Sequence, residues 1–192
     1  AQIGLRYPVY AALTEDEQAG TYTYGTGKVA AKAIRVDMSL NFANGALYAD
    51  DAVAESLKEF TDGTVTFTVD DLEDDVKADW LGNKIVEMTV DNETVQELQS
   101  NTEDEPGFFG FGFIVTKIKN KVRKYRAIIY TKVQFGEFNE TFETKGQNIT
   151  FQTPTVTGTI MRRVDGNWKE EVTVDSIELA KKWLHMKLNI DP

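Results

Sequence analysis

The sequence lacks cysteine altogether and contains four prolines and a single histidine among its 192 residues. Without cysteine, neither a disulfide framework nor a thiolate metal site can form. The one histidine, His185, lies between Leu184 and Met186, and no G-x-S-x-G segment marks a serine nucleophile. A solvent-facing or interface role is therefore expected for His185, and we predict no catalytic, cofactor-binding or metal site.

Basic residues are also scarce, since 21 of them stand against 31 acidic ones and the formal net charge is −10. Proteins that grip nucleic acid usually carry the opposite sign, because Lys and Arg neutralise phosphates. The balance is compatible with a surface that DNA slides past, or with solubility alone. No apolar run approaches the roughly 18 residues that span a bilayer, and the first residues lack the pattern of a secretory signal. No membrane partner is expected.

Two short motifs suggest a ligand but fail on spacing. GTGK at 25–28 lacks both the upstream glycine and the following hydroxyl residue of a phosphate-binding loop. DDLEDD at 70–75 lacks the glycine and the terminal glutamate that an EF-hand loop requires. A tight turn and an acidic first turn of a helix are the simpler interpretations.

Most of the sequence alternates apolar and polar residues, the pattern of half-buried β-strands. Val65, Phe67 and Val69 alternate with threonine, and residues 125–135 keep their larger apolar side chains largely on one face. The apolar parity shifts near residues 33–34 and again after Gly136, which predicts bulges or bends in long strands. The whole chain, residues 1–192, is predicted to form a single mainly β domain.

One helix is predicted before residue 82. Asp71 is a candidate N-cap, and Leu72, Val76 and Trp80 recur at the spacing that places side chains on one helical face. Gly82 is placed to end this helix in a left-handed conformation.

A second helix is predicted over residues 175–190. Asp175 and Glu178 form a capping-box-like pair at its start. Its apolar face would contain Ile177, Ala180, Trp183 and Leu184, and three lysines lie toward the end that the helix dipole makes favourable for cations.

The stretch FGFGFIV raises a packing question. On a strand, Phe109, Phe111 and Phe113 would face one side while Gly110 and Gly112 leave the other side bare. Glycine within a strand usually marks a bulge or a close backbone approach. One interpretation is close packing of a helix of the same chain against this bare face.

Two long segments show no clear period. Residues 41–62 join two strand signals and are long for a hairpin loop, so a long loop or arm, or a local helix over 51–60, is expected there. Residues 92–107 are acidic and end in Pro106-Gly107, which is typical of an exposed loop or a local arm.

The order of several segments resembles the major tail protein (tail tube protein) of long-tailed, non-contractile, siphophage-type bacteriophages of Gram-positive hosts. The similarity runs from Ile3 to Ile160 and is weaker in the acidic segment 92–105 and in the basic C-terminal helix. The segments that carry it are IGLRYPVYAALTED, GTGKVAAKAIRVDMSL, LYADDAVAES, TDGTVTFTVDDL, FGFGFIV, VRKYRAIIYTKVQF and TKGQNITFQTPTVTGTI.

This resemblance implies a β-sandwich or barrel-like tail tube fold with one flanking helix, a C-terminal helix and long inter-strand loops. It implies a structural virion protein whose hexameric rings each contribute four strands per subunit to an inner barrel and stack into the tail tube. Its partners would be copies of itself, the tape measure, tail terminator and distal tail proteins, and viral double-stranded DNA that passes through the bore without specific binding. Assembly would take place in the cytoplasm of the bacterial host.

Contacts between copies are expected at two arms and at the glycine face of FGFGFIV. The arms are the N-terminal segment 1–13 and the segment 41–62, and Gly110 and Gly112 would adjoin a neighbouring subunit or the bore. The candidate contact residues are Tyr7, Leu47, Tyr48, Asp50, Asp51, Val53, Leu57, Phe60, Gly110 and Gly112.

Three other functions stay open on the sequence. The first is a tube or terminator subunit of a related contractile tail or injection system. The second is a soluble carbohydrate-binding or adhesion module that stacks sugars on Trp80, Trp168 or Trp183. The third is a hydrolase whose catalytic residues form no recognisable motif.

Overall fold

The computed structural model describes residues 2–49, 52–147 and 150–192. Eleven strands and two helices lie within these ranges. In chain order they are β1 (Gln2–Asp16), β2 (Thr21–Tyr24), β3 (Lys28–Val29), β4 (Ala33–Ala49), β5 (Ala52–Val69), α1 (Asp74–Leu81), β6 (Lys84–Val90), β7 (Glu93–Gln99), β8 (Phe109–Lys119), β9 (Val122–Asn139), β10 (Thr155–Met161), β11 (Lys169–Val174) and α2 (Ile177–Leu188).

Nine of these strands form one antiparallel sheet in the order β2-β1-β8-β9-β10-β5-β4, with β3 paired to β1 and β11 paired to β9. Strands β6 and β7 form a separate two-stranded sheet. Strand β9 is shared along its length, because β11 pairs with residues 125–130 and β10 with residues 132–139. The first part of β9 therefore lies between β8 and β11, and its last part pairs with β10, which continues the sheet to β5 and β4. The predicted mainly β, sandwich-like fold with two helices is confirmed.

The main core lies on one face of the sheet, beneath α1. Trp80 of α1 is completely buried, and its ring stacks on Phe135 with 4.0 Å between the centroids. Phe111 of β8 meets the same indole edge-on, and Phe67 of β5 lies tilted against it. Aromatic pairs in these geometries stabilise a core beyond the area they bury. Aromatic packing therefore holds α1 against the sheet.

Helix α2 covers the opposite face of the sheet. Its side chains Ala180, Leu184 and Leu188 are fully buried against strands β1, β8 and β9. These strands thus have packed side chains on both faces, which is why every residue of β8 from Phe109 to Ile114 is buried.

The start of α1 differs from the prediction. The helix begins at Asp74, its N-cap is Glu73, and Glu73 makes no side-chain capping bond. Asp71 instead accepts a hydrogen bond from the backbone N–H of the next residue, because the chain stays extended long enough to bury Leu72 before the helix starts. The predicted end is right, since Gly82 is left-handed at φ 71°.

The N-cap of α2 lies one residue later than predicted. Ser176 is the N-cap, and its hydroxyl accepts a hydrogen bond of 3.2 Å from the backbone N–H of Leu179. Asp175 pairs with Lys124 of β9 instead, at 3.3 Å. Position 176 is the first residue whose extended backbone directs a side-chain oxygen at the free N–H groups of the first turn.

The segments predicted as arms or loops are largely strand. The N-terminal segment is part of β1 and pairs with β8, and residues 41–49 and 52–62 are the outer parts of β4 and β5, which pair with each other. The alternative of a local helix over 51–60 is wrong for residues 52–60, because both strands of the hairpin bond to each other there. Residues 93–99 form β7, so only the rest of the 92–107 segment is irregular.

Candidate assembly surfaces

The β4–β5 hairpin projects beyond the rest of the sheet. Strand β10 pairs with β5 only over residues 63–68, whereas β4 continues to pair with β5 out to residues 49 and 52. We call residues 42–49 and 52–60 the long arm. The side chains of Leu47, Tyr48 and Leu57 on this arm are 61%, 69% and 68% exposed. An isolated two-stranded ribbon is only marginally stable in water, and exposed large apolar side chains grouped on it are typical of an interaction surface.

The base of the long arm is anchored on the body of the same chain. The ring of Phe60 stacks on Trp168 with 4.3 Å between centroids, and Phe42 meets both rings edge-on. Lys58 lies 4.8 Å above the Phe42 ring. Phe60 was predicted as a contact between copies, whereas its ring packs on its own chain. The role of Trp168 was missed, since the sequence gives no sign that residues 60 and 168 are neighbours.

Two further candidate residues of this segment, Asp50 and Asp51, fall outside the described residues, and so does the side chain of Val53. The backbone of Val53 pairs with Tyr48, one residue from the end of the described part of β4. Register pairs Leu57 with Gly45 and Glu55 with Leu47, so Leu47 and Leu57 lie one step apart on the same face of the ribbon. That these residues contact another copy stays a prediction.

The bare face of β8 is filled by this chain's own C-terminal helix. A Cβ at Gly110 would lie 2.8 Å from Leu188 of α2 and 2.7 Å from the ring of Tyr24. A Cβ at Gly112 would lie 3.0 Å from Leu184 of α2. The helix of the same chain thus occupies the position that the resemblance assigned to a neighbouring copy or the bore. The three phenylalanines that alternate with these glycines, Phe109, Phe111 and Phe113, lie in the main core.

Tyr7 also packs on α2. Its backbone is left-handed at φ 58°, within an irregular stretch of the β1–β8 ladder. Its hydroxyl lies 2.6 Å from Nε2 of His185, the two rings stack, and Lys181 lies 4.9 Å above the Tyr7 ring. Burial raises the pKa of Tyr7 above its ordinary value. Tyr7, predicted to contact another copy, therefore holds the start of β1 on the helix of its own chain.

The tight contact at Gly112 makes a prediction about stability. Gly112→Ala is expected to lower the free energy of unfolding by about 1–3 kcal/mol, because the new methyl group overpacks the interface with α2. Urea unfolding followed by circular dichroism measures the loss. Gly136→Ala in β9 is the control, since its Cβ would meet nothing within 4 Å. Equal stability of the two variants would contradict this packing.

One margin of the large sheet stays open. The start of β1 and the inner part of β4 face each other across a cleft of about 420 Å³ lined by Leu5, Met38 and Tyr130 among others. Among the described strands, β4 pairs only with β5, so the ladder does not close across this cleft. A strand edge with free N–H and C=O groups is a template for pairing with another strand. The start of β1 lies beside the inner part of this edge, so the outer part of β4, residues 42–49, is the second surface available to another chain.

The described ranges contain no cluster of three or more potential metal ligands. Near the main core, Asp79 accepts hydrogen bonds from Tyr10 at 2.7 Å and from Lys28 at 3.1 Å. Burial, and then the bond to Asp79, raise the pKa of Tyr10 far above its ordinary value. Both groups therefore act in structure.

The exposed apolar face of the β6–β7 hairpin was not predicted from the sequence. The β6–β7 hairpin places Val86, Met88 and Val90 on the same face as Val95 of the facing strand. The alternation of residues 86, 88 and 90 in the sequence was the available signal. This signal was not recognised, because the acidic residues after residue 92 predicted a loop where β7 lies.

The comparisons with known proteins do not assign the chain to a family. A scan against protein-family models finds no match, and a search of the curated proteins finds no relative. In the part of the chain that the structure describes, no helix is long and apolar enough to cross a membrane.

Proposed function

We propose that this chain is the major tail tube subunit of a long-tailed, non-contractile bacteriophage. It is a structural protein without an enzymatic role, and it assembles from copies of itself into stacked hexameric rings. The observation that carries the proposal is the long arm, on which Leu47, Tyr48 and Leu57 are largely exposed. Such an arm is stable when a second chain covers it. In a stacked tube that chain is a subunit of the next ring.

The open margin of the nine-stranded sheet supports assembly within a ring. The outer edge of β4, residues 42–49, offers backbone groups to a neighbouring sheet, so that sheets from successive copies continue one another. An inner barrel of about 24 strands spaced by about 4.8 Å and tilted by about 40° has a circumference near 150 Å. Its backbone diameter is close to 48 Å, which leaves about 35–40 Å inside the inner side chains. A DNA duplex passes through such a bore with a layer of water.

The charge of the chain suits this conduit. Six copies carry 6 × −10 = −60 formal charges. Acidic residues facing the bore would repel phosphates, and contact with them would release few condensed counterions. DNA would then slide without binding. The tape measure, tail terminator and distal tail proteins are the other expected partners, and the virion tail is the expected location.

A carbohydrate-binding module stacks sugars on exposed aromatic rings, but none of the three tryptophans, all of which lie in the described residues, presents a freely exposed ring face. Trp80 is fully buried, and Trp168 is stacked by Phe60. Trp183 is half-buried on α2 beneath Lys187. These contacts favour the assembly proposal over the sugar-binding alternative.

Electron microscopy of the concentrated protein tests the proposal. We expect six-fold rings or tubes from the wild-type chain, and we expect Leu47→Asp with Leu57→Asp to abolish stacking while the subunit stays folded. A charge placed on an apolar contact leaves it buried without a partner, which commonly costs several kcal/mol. Val122→Asp is the matched control, because Val122 is 56% exposed at a different turn.

Three results would count against the proposal. Tubes that form unchanged in the double variant would remove the role of the long arm. Isolated rings that never stack would favour a terminator subunit. A monomer that binds immobilised glycans, even when an initiating tail-tip complex is supplied, would favour the carbohydrate-binding module.

A further inference from the structure

The β6–β7 hairpin stands apart from the rest of the fold. Its two strands pair only with each other among the described strands, and nearly all of their residues are exposed. Its base is fixed, because Asn83 donates a hydrogen bond of 2.9 Å to Asp104 and Leu98 lines a cleft beside α1. We call residues 84–99 the acidic hairpin. A free two-stranded ribbon of this length is marginally stable in water, so a covering surface would stabilise it.

The acidic hairpin has one apolar face with an acidic border. Met88, Val90 and Val95 on this face are 42%, 53% and 38% exposed. Register places Glu93 opposite Val90 and Glu97 opposite Val86, so two carboxylates lie on the same face as the apolar side chains. A surface that covers this face must therefore have a row of apolar side chains with basic side chains next to it.

The outer face of α2 has this character. Leu179 and Met186 are 51% and 71% exposed although they lie on a helix whose other face is fully buried. They are seven residues apart, which is close to two turns, so they share one face, with Lys182 exposed between them. We call these three residues the helix stripe. The helix contains three lysines and one acidic residue, so its charge is opposite to that of the hairpin.

The two surfaces also match in length. Seven residues of strand extend about 23 Å, and the twelve residues of α2 extend about 18 Å. Both lie on the outside of the same chain, at different elements of the fold. One copy therefore presents both halves of a contact, and head-to-tail repetition of that contact joins successive copies.

We propose that the apolar face of the acidic hairpin docks on the helix stripe of a second copy of this chain. The contact rests on the self-assembly proposed above and assigns a role to the two regions where the resemblance to tail tube proteins is weakest. The apolar side chains of the two faces pack together, and Glu93 and Glu97 approach Lys182, because Lys181 lies over Tyr7 and Lys187 donates to Glu170 within the same chain. Each single contact is small, and repetition around a closed assembly multiplies its effect.

Disulfide trapping tests the docking, because the chain contains no cysteine of its own. Met88→Cys with Met186→Cys is expected to form intermolecular disulfides under diamide, seen as a ladder on a non-reducing gel. Met88→Cys with Val122→Cys is the control, since it offers an equally exposed position at another turn. No ladder from the first pair, or equal ladders from both pairs, would overturn the proposal.

Charge reversal adds a second readout in the Met88→Cys, Met186→Cys background. Lys182→Glu is expected to lower the yield of disulfide about fivefold, and the further change Glu97→Lys is expected to restore it. Loss without restoration would overturn the charge pairing. Wild-type tubes without specific trapping would leave the tail tube function standing and remove this contact. Specific trapping without rings or tubes would support this contact and count against the tail tube function. If neither specific trapping nor rings or tubes were seen, both proposals would be wrong.

Discussion

Replacing Trp80 with alanine is expected to lower the free energy of unfolding by about 4 kcal/mol. Trp80 is the largest completely buried side chain in the described residues, and it links α1 to three strands through Phe67, Phe111 and Phe135. Its removal leaves a cavity among rings that cannot close over it, because each ring belongs to a different strand. Urea unfolding of the monomer measures the change.

Trp80→Phe is the informative companion. The indole N–H of Trp80 is buried and has no hydrogen-bond partner in the described residues. A buried donor without a partner costs about 1–3 kcal/mol, so removing it offsets part of the packing that the smaller ring loses. We expect Trp80→Phe to lose less than half as much stability as Trp80→Ala. Equal losses would show that the indole N–H is satisfied, and a loss below about 1 kcal/mol for alanine would contradict the central packing role.

Replacing Arg163 with methionine is expected to cost about 3 kcal/mol, the second large effect. Arg163 is 2% exposed. Its guanidinium donates to Asp165 at 2.7 and 2.9 Å and to Glu170 at 3.3 Å. It also donates to the hydroxyl of Tyr24 at 3.2 Å and lies 3.6 Å above the ring of Tyr22. One side chain thus ties β2 to the β10–β11 connection.

Removing the cation leaves its acidic partners facing one another in a partly buried place. Arg162→Met is the matched control, because the neighbouring arginine is exposed and its contact with Glu59 is 3.9 Å long; we expect a change within about 0.5 kcal/mol. Thermal unfolding of both variants measures the difference. Similar midpoints would contradict a structural role for the buried arginine.

The same network predicts a dependence on pH. Burial lowers the pKa of Arg163, but its hydrogen bonds to Asp165 and Tyr24 outweigh this, so its pKa is raised overall. The bond to Arg163 holds the pKa of Asp165 below its usual value. A lowered carboxyl pKa contributes stability above the unfolded pKa of about 4, and the contribution is lost as pH falls through the folded pKa. In Arg163→Met, we expect the acid-induced loss of stability to be smaller than in the wild type.

Much of the fold could be predicted because it depends on local pattern. Alternation identified most of β9 and the inner parts of β4 and β5, but not β1 or the outer parts of β4 and β5. The spacing of Leu72, Val76 and Trp80 identified α1 together with its end at Gly82. The helix starts were less accurate, because Asp71 and Asp175 are as good caps as the residues beside them. Which residue caps a helix depends on where the backbone turns, and the burial of Leu72 postponed that turn in α1.

The surfaces were harder to predict, because they depend on pairs of residues far apart in the chain. Residues 41–62 have apolar side chains at both parities, so neither strand nor helix was evident until the hairpin register paired them. The adjacent arginines 162 and 163 look equivalent in the sequence, yet one is buried and the other exposed. Arg163 is the buried one because Tyr22 and Tyr24 of β2 pack against its guanidinium.

The sequence by itself determined the class of this protein: mainly β, acidic, without thiol chemistry, with a helix at its C-terminal end and a row of phenylalanines facing away from glycines. Composition and side-chain alternation are properties of the chain alone. The tertiary structure decided what lies behind those glycines, which apolar groups become core and which stay exposed on the two hairpins. Those outcomes depend on contacts between residues more than a hundred positions apart, such as Phe60 with Trp168. No local pattern encodes such contacts, because they form only when strands from distant parts of the chain are brought together.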